Sequence, residues 1–175
     1  MDRPAEPRAH PRVLIREACA RFGDDVVLAW CTDLISGRSG PDDPDDPPIA
    51  WVGGTTGWPP YWPRVWGARG LLYVWNDSAS PDVVAALSDD AWRVREMAAK
   101  VVRLHDVAEA AQALPGLVDD PVDRVRIAAV RALEVVGEGE HLELLAEAAE
   151  DPSSRVARAA VKALGRLEEN LDRRF

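Results

Sequence analysis

Three stretches of the chain superpose without a gap: Arg93-Val94-Arg95-Glu96-Met97-Ala98-Ala99-Lys100-Val101-Val102, Arg124-Val125-Arg126-Ile127-Ala128-Ala129-Val130-Arg131-Ala132-Leu133 and Arg155-Val156-Ala157-Arg158-Ala159-Ala160-Val161-Lys162-Ala163-Leu164. Each begins 31 residues after the one before, and a decayed copy, Trp66-Gly67-Ala68-Arg69-Gly70-Leu71, falls one step upstream on Met97 to Val102. A fixed period of this length marks a stack of like units, none of which can bury its apolar face alone. Val125, Ala128, Ala129, Ala132, Leu133 and Val136 recur at i, i+3, i+4, i+7, i+8 and i+11, which is one face of an α-helix. The small residues on that face let neighbouring helices approach closely.

Outward from this core, an acidic turn precedes each such helix: Asp89-Asp90, Asp119-Asp120-Pro121 and Glu150-Asp151-Pro152. Aspartate caps a helix there, and proline is tolerated in the first turn. Between the turns, Val83 to Leu87, Ala108 to Val118 and Leu142 to Ala149 repeat their leucines and alanines at helical spacing, so each unit is a helical hairpin. The units begin near Trp62, Trp92, Asp123 and Ser154. Upstream, Val13 to Phe22 and Asp25 to Ile35 read as two amphipathic helices forming a divergent cap. The segment from Gly37 to Pro63 is too rich in proline and glycine for helix, and is either a functional loop or a disordered insert. Its Asp/Pro half, Gly40 to Pro48, reads as mobile, and the tryptophan half, Trp51 to Trp66, as packed. The expected organisation is an N-terminal helical cap at 1–37, a Pro/Gly/Trp-rich loop at 38–61 and a repeat array at 62–175, within a single structural domain overall.

The motif D-P-x-x-R-V-R-x-A-A-x-R-A-L resembles the HEAT repeat, most closely the short HEAT-like repeats of phycobilin lyase subunits. The resemblance implies an all-α fold, a right-handed α-solenoid of about four HEAT-like helical hairpins behind the N-terminal helical cap. It also implies that the second helix of each unit, which carries the Val-Arg motif, lines the concave side. Arg95 and Arg126 occupy the motif arginine, which in that family bonds the turn aspartate of a neighbouring unit, here Asp90, Asp120 or Asp151. Ala157 takes that place in the last copy and ends the ladder.

The chain has 175 residues and a formal net charge of −9, a balance that opposes uniform attraction to phosphate. The excess of arginine over lysine and the scarcity of asparagine and isoleucine are the bias of a high-GC bacterial coding genome. No apolar run is long enough to span a bilayer, and MDRPAEPRAHPR lacks the apolar stretch of a signal peptide, so a cytoplasmic location is expected. Cys19 and Cys31 match no zinc or redox spacing and read as reduced, buried small hydrophobes. His10, His105 and His141 read as solvated or capping side chains. No metal site, cofactor motif or catalytic signature such as G-x-S-x-G, H-E-x-x-H or a P-loop is present in the sequence.

Two sets of residues carry the functional reading. Arg93 with Lys100, Arg124 with Arg131, and Arg155 with Lys162 recur at the repeat period, and Arg69 stands upstream. This cation stripe reads either as ion pairing with the turn acids and with Glu143, Glu147 and Glu150, or as an anion-binding or acidic-partner groove. Of seven tryptophans, Trp30 and Trp66 fall on apolar faces, whereas Trp92 aligns with the polar Asp123 and Ser154. It needs a cover, which the Trp51 to Trp62 loop can supply, or it is an aromatic anchor for a ligand. The leading expectation is a non-catalytic binding or scaffold module that holds an acidic protein partner on the concave face. The alternative is nucleic-acid binding or DNA base repair of the HEAT-like alkylpurine glycosylase type, whose composition Trp92, Arg93 and Arg95 resemble. No position here matches the catalytic aspartate of those enzymes. A third reading, an accessory subunit for tetrapyrrole attachment, rests on the repeat name alone. The oligomeric state is open.

If the alanine face is the tight one, Ala129→Asp places an unpaired charge between helices and costs about 3 kcal/mol or more. Urea denaturation checks this; an unchanged midpoint would put the buried face elsewhere.

Overall fold

The computed structural model describes residues 3–173, so the ends of the segments 1–37 and 62–175 lie outside the described residues. Among the described residues every regular element is helical. The chain divides into two compact units, Met1–Ala86 and Leu87–Phe175.

The first unit opens with α1 (Pro11–Phe22) and α2 (Asp24–Ser36). Pro11 sits in the first turn of α1, where its missing N–H costs nothing, and His10 Nδ1 accepts the Arg12 backbone N–H at 3.2 Å. Gly23, at φ 95°, turns the chain between the two helices. A short 3₁₀ turn at Ile49–Val52 leads to α3 (Trp62–Gly70) and α4 (Ser80–Ala86). Helices α2 and α3 meet at Gly67 and Gly70. A Cβ on Gly67 would stand 2.6 Å from the Cys31 carbonyl oxygen and 2.7 Å from the Ile35 nitrogen, and one on Gly70 would strike Cys31 Sγ.

The chain divides after Ala86, within the segment 62–175 read as the repeat array. The intervening loop ties cap and decayed repeat together through the Trp51 side chain and the Val52 carbonyl. Trp51 is buried and meets the Phe22 ring edge-on at 5.5 Å, Trp62 stacks on Trp66 at 5.9 Å, and Arg69 Nη2 donates to the Val52 carbonyl at 2.7 Å. Trp58, by contrast, remains largely exposed.

The second unit contains α5 (Trp92–His105), α6 (Pro115–Val118), α7 (Asp123–Val136), α8 (Leu142–Ala148) and α9 (Ser154–Asp172). The long helices start at Trp92, Asp123 and Ser154, where the period placed them. Val94, Val125 and Val156 are equivalent and fully buried, as are Ala98, Ala129 and Ala160. Helix α5 packs on α7, and α7 on α9.

The expected helix from Ala108 to Val118 is not continuous. It splits into a 3₁₀ turn at Ala108–Ala110 and the four-residue α6, which begins at Pro115. Proline has no N–H to donate, and its ring clashes with the carbonyl four residues back, so a helix cannot run through it. Ala110, Leu114, Leu117 and Val118 are nonetheless buried, and the apolar spacing is satisfied without a continuous helix. Before α8, His141 is buried, and its Nδ1 accepts the Glu138 backbone N–H at 2.9 Å as a cap.

Gly67→Ala should destabilise the chain by about 1–3 kcal/mol even though alanine is the better helix former, because the added methyl meets backbone that cannot rotate away. A lowered thermal midpoint with the helical spectrum retained is the expected result.

Candidate functional site

The site is built on the turns before the long helices. The Oδ1 atoms of Asp89, Asp120 and Asp151 accept the backbone N–H groups of Ala91, Val122 and Ser153 at 2.8, 2.9 and 2.7 Å, closing each turn. Arg95 Nε then donates to Asp120 Oδ2 at 2.7 Å, one unit on. Its Nη1 donates to the carbonyls of Asp89 and Asp90 at 2.7 and 3.0 Å. Arg126 repeats the pattern, with Nε to Asp151 Oδ2 at 2.8 Å, Nη2 to Oδ1 at 3.0 Å and Nη1 to the Asp120 carbonyl at 2.9 Å. The Arg126 guanidinium holds the Asp151 carboxyl below its ordinary value. One residue of this ladder needs correction. The 31-residue register puts Asp89, not Asp90, in the place of Asp120 and Asp151, and Asp90 contributes its backbone carbonyl.

With each long helix fixed in register, its outward side chains form a grid on α5, α7 and α9. Across the helices the rows are Arg93, Arg124 and Arg155; Glu96, Ile127 and Arg158; Lys100, Arg131 and Lys162; and Arg103, Glu134 and Gly165. Arg69 belongs to the other compact unit, where burial lowers the pKa of its guanidinium and its contact is the Val52 carbonyl, so it is not one of these outward cations.

The α5 side of the grid is closed on itself. Glu96 is buried, and its Oε1 takes Lys100 Nζ at 2.8 Å, Arg124 Nη2 at 3.1 Å and Arg124 Nε at 3.2 Å. The guanidinium carbons of Arg93 and Arg124 lie 4.2 and 5.4 Å from the centre of the Trp92 ring. The cover that Trp92 requires is thus supplied within its own unit by two cations.

The α9 side is open. Arg103, Ile127, Arg131, Glu134, Arg155, Arg158, Ala159 and Lys162 line a groove of about 520 Å³. Five cations face one carboxylate, and that carboxylate is already engaged: buried Glu134 takes Arg166 Nη1 at 2.6 Å and Arg103 Nη2 at 3.7 Å. Arg155 reaches Asp123 only at 3.9 Å. Arg131 and Lys162 make no hydrogen bond or ion pair among the described residues. The groove can therefore neutralise an incoming anion without first breaking a strong internal pair.

Glu143, Glu147 and Glu150 do not neutralise the stripe; all three are exposed and make no ion pair among the described residues, while the acids that do are Glu96 and Glu134 on the same helix class. Glu96, Glu134, Arg103 and Arg158 were not among the expected site residues. Their signal was a departure from the repeat: an acid stands at Glu96 where the later copies have Ile127 and Arg158, and at Glu134 where the copy before has Arg103. Cys19 and Cys31 are free, with burial pushing Cys19 up to about 11. Among the described residues no group of three histidine, cysteine, aspartate or glutamate side chains can hold a metal ion, and no helix is long and apolar enough to cross a membrane.

The profile described as HEAT repeats matches residues 59–134 and 110–173. No curated protein matches the sequence. Among solved structures, the complex of CpcE and CpcF of phycocyanin lyase from Nostoc sp. PCC7120 is similar, with a TM-score of 0.61 and 23% identity over 97% of this chain and 70% of that chain. At that identity the likeness concerns the fold, an α-solenoid.

The ladder predicts a pH signature. A carboxyl held below its unfolded value stabilises the fold above about pH 4 and loses that contribution as pH falls through the folded value. Asp151→Asn should therefore cost about 1–3 kcal/mol at neutral pH, and the denaturation curves of variant and wild type should converge as pH falls through the folded value of the Asp151 carboxyl. A gap that persists in acid would assign the effect to packing.

Proposed function

Because this chain belongs to the HEAT-repeat family, whose stacked helices present an extended surface rather than a built-in chemistry, we propose that it is a non-catalytic binding module holding an acidic protein partner in the groove between α7 and α9. The observation that carries this reading is the concentration of Arg103, Arg131, Arg155, Arg158 and Lys162 around one groove in a chain whose net charge is −9. Charge gathered against the average of the molecule steers a partner of opposite sign and fixes its register. The similar CpcE and CpcF chains were solved as a two-protein complex, which supports an interaction role for the fold. The free thiols Cys19 and Cys31 support a cytoplasmic setting.

Within the stripe, Arg93, Lys100 and Arg124 serve Trp92 and Glu96, which leaves Arg131 and Lys162 as the contacts that a partner gains first. Trp92 orients cations on this reading, and its guanidinium-covered ring is poorly placed to stack on a nucleic-acid base. Replacing Arg131 and Lys162 together by glutamate should weaken binding of a fluorescent glutamate-rich peptide by about tenfold or more while leaving the thermal midpoint in place. Unchanged peptide binding would remove the groove from consideration, and a steeply salt-dependent shift of single-stranded or duplex DNA by the wild type would favour nucleic acid instead.

A further inference from the structure

Resting on the acidic-partner reading, we infer that the group the groove selects is a phosphorylated side chain of the partner, a phosphoserine or phosphothreonine seated among Arg103, Arg131, Arg155, Arg158 and Lys162. The first reason is charge density at a point. These five cations come from three helices, α5, α7 and α9, yet they converge on one groove of about 520 Å³, and the one acid in its lining, Glu134, already has Arg166 at 2.6 Å. A carboxylate brings one charge and two acceptor oxygens, so it leaves most of these cations facing each other. A phosphoryl group brings close to two charges and three strong acceptors on one tetrahedral centre, which meets donors arriving from several directions.

The second reason is donor type. Four of the five cations are arginines, whose planar forks match phosphate oxygens in pairs. Several of these donors are available without rearrangement. Arg131 and Lys162 have no partner among the described residues, Arg155 and Arg103 hold their acids only at 3.9 and 3.7 Å, and Arg158 donates its Nε to the Ser154 carbonyl, which leaves its two Nη groups to a ligand.

The third reason separates a phosphorylated protein from a nucleic acid. A polyanion needs cations along a track, and on this face the track stops at α5, where Glu96 binds Lys100 and Arg124 and where Trp92 is covered. The open charge is a spot, suited to a single phosphoryl group.

Binding of short peptides of one sequence, carrying phosphoserine, serine or glutamate between two flanking glutamates, to the full chain tests the inference. The phosphoserine peptide should bind at least about tenfold more tightly than either other peptide. Its advantage should grow as pH rises through about 6, where the phosphoryl group takes its second charge. The glutamate peptide over the same range subtracts whatever the facing groups themselves contribute: Arg103 on α5, Arg131 and Glu134 on α7, and Arg155, Arg158 and Lys162 on α9. Arg131→Gln with Lys162→Gln, both at exposed positions, should remove the phosphoserine advantage with the thermal midpoint unmoved. Equal affinity for phosphoserine and glutamate peptides, or an advantage that survives the double variant, overturns the phosphate inference and leaves the acidic-partner reading standing. Failure of all three peptides to bind overturns both, and a short single-stranded oligonucleotide that outcompetes the phosphoserine peptide overturns both in favour of nucleic acid.

Discussion

Ala98, Ala129 and Ala160 stand on the packed helices α5, α7 and α9 with no exposed surface at all, where a larger side chain would have to displace its neighbours. In the other unit, α3 meets α2 so closely that even a methyl is excluded, and Gly67 and Gly70 stand there instead. Once the small residues fix the spacing, the positions beside them are forced outward in rows, one residue per helix at the repeat step. The cation rows are a geometric consequence of the alanine column behind them.

The Arg95 to Asp120 and Arg126 to Asp151 bonds act on a different weakness. A turn between two helices leaves backbone carbonyls without intrahelical partners, and each arginine satisfies one or two of them while binding the next turn's carboxylate. A single guanidinium fork thus couples successive units through partly buried, charge-assisted bonds, where an exposed lysine pair would contribute little.

The face carried by these helices handles its charge in two ways. Toward α5, buried Glu96 gathers Lys100 and Arg124, Arg124 also lies against the Trp92 ring, and the cluster is closed. Toward α9, the acid Glu134 stands two rows further along the grid and is taken up largely by Arg166, so the cations around it remain open. Two acids at different heights on one grid turn a uniform stripe into a closed half and an open half. On the proposed reading an anion takes the open half, because a ligand there does not compete with a short internal pair.

Much of this was legible in the residues. The 31-residue period, the apolar face and the acidic turns determined an all-helical repeat stack and where its long helices begin, because helix periodicity and capping are local properties that one stretch of chain expresses by itself. The ladder arginines followed from the same register, which also points to Asp89 once the period is counted strictly. The break at Pro115 was written in the sequence too, although the apolar spacing around it concealed it. Where the ion pairs fall was a different matter. Glu96 and Glu134 find Arg124, Arg103 and Arg166 across helices, and Trp51 and Val52 of the 38–61 segment find Phe22 and Arg69, through distances that depend on how tightly helices stack. Repeat and helix positions are set by residues near in sequence, whereas the split of the cation face and the joining of the cap to the decayed repeat were decided by tertiary packing, since Coulomb and contact energies depend on separation in space and not along the chain.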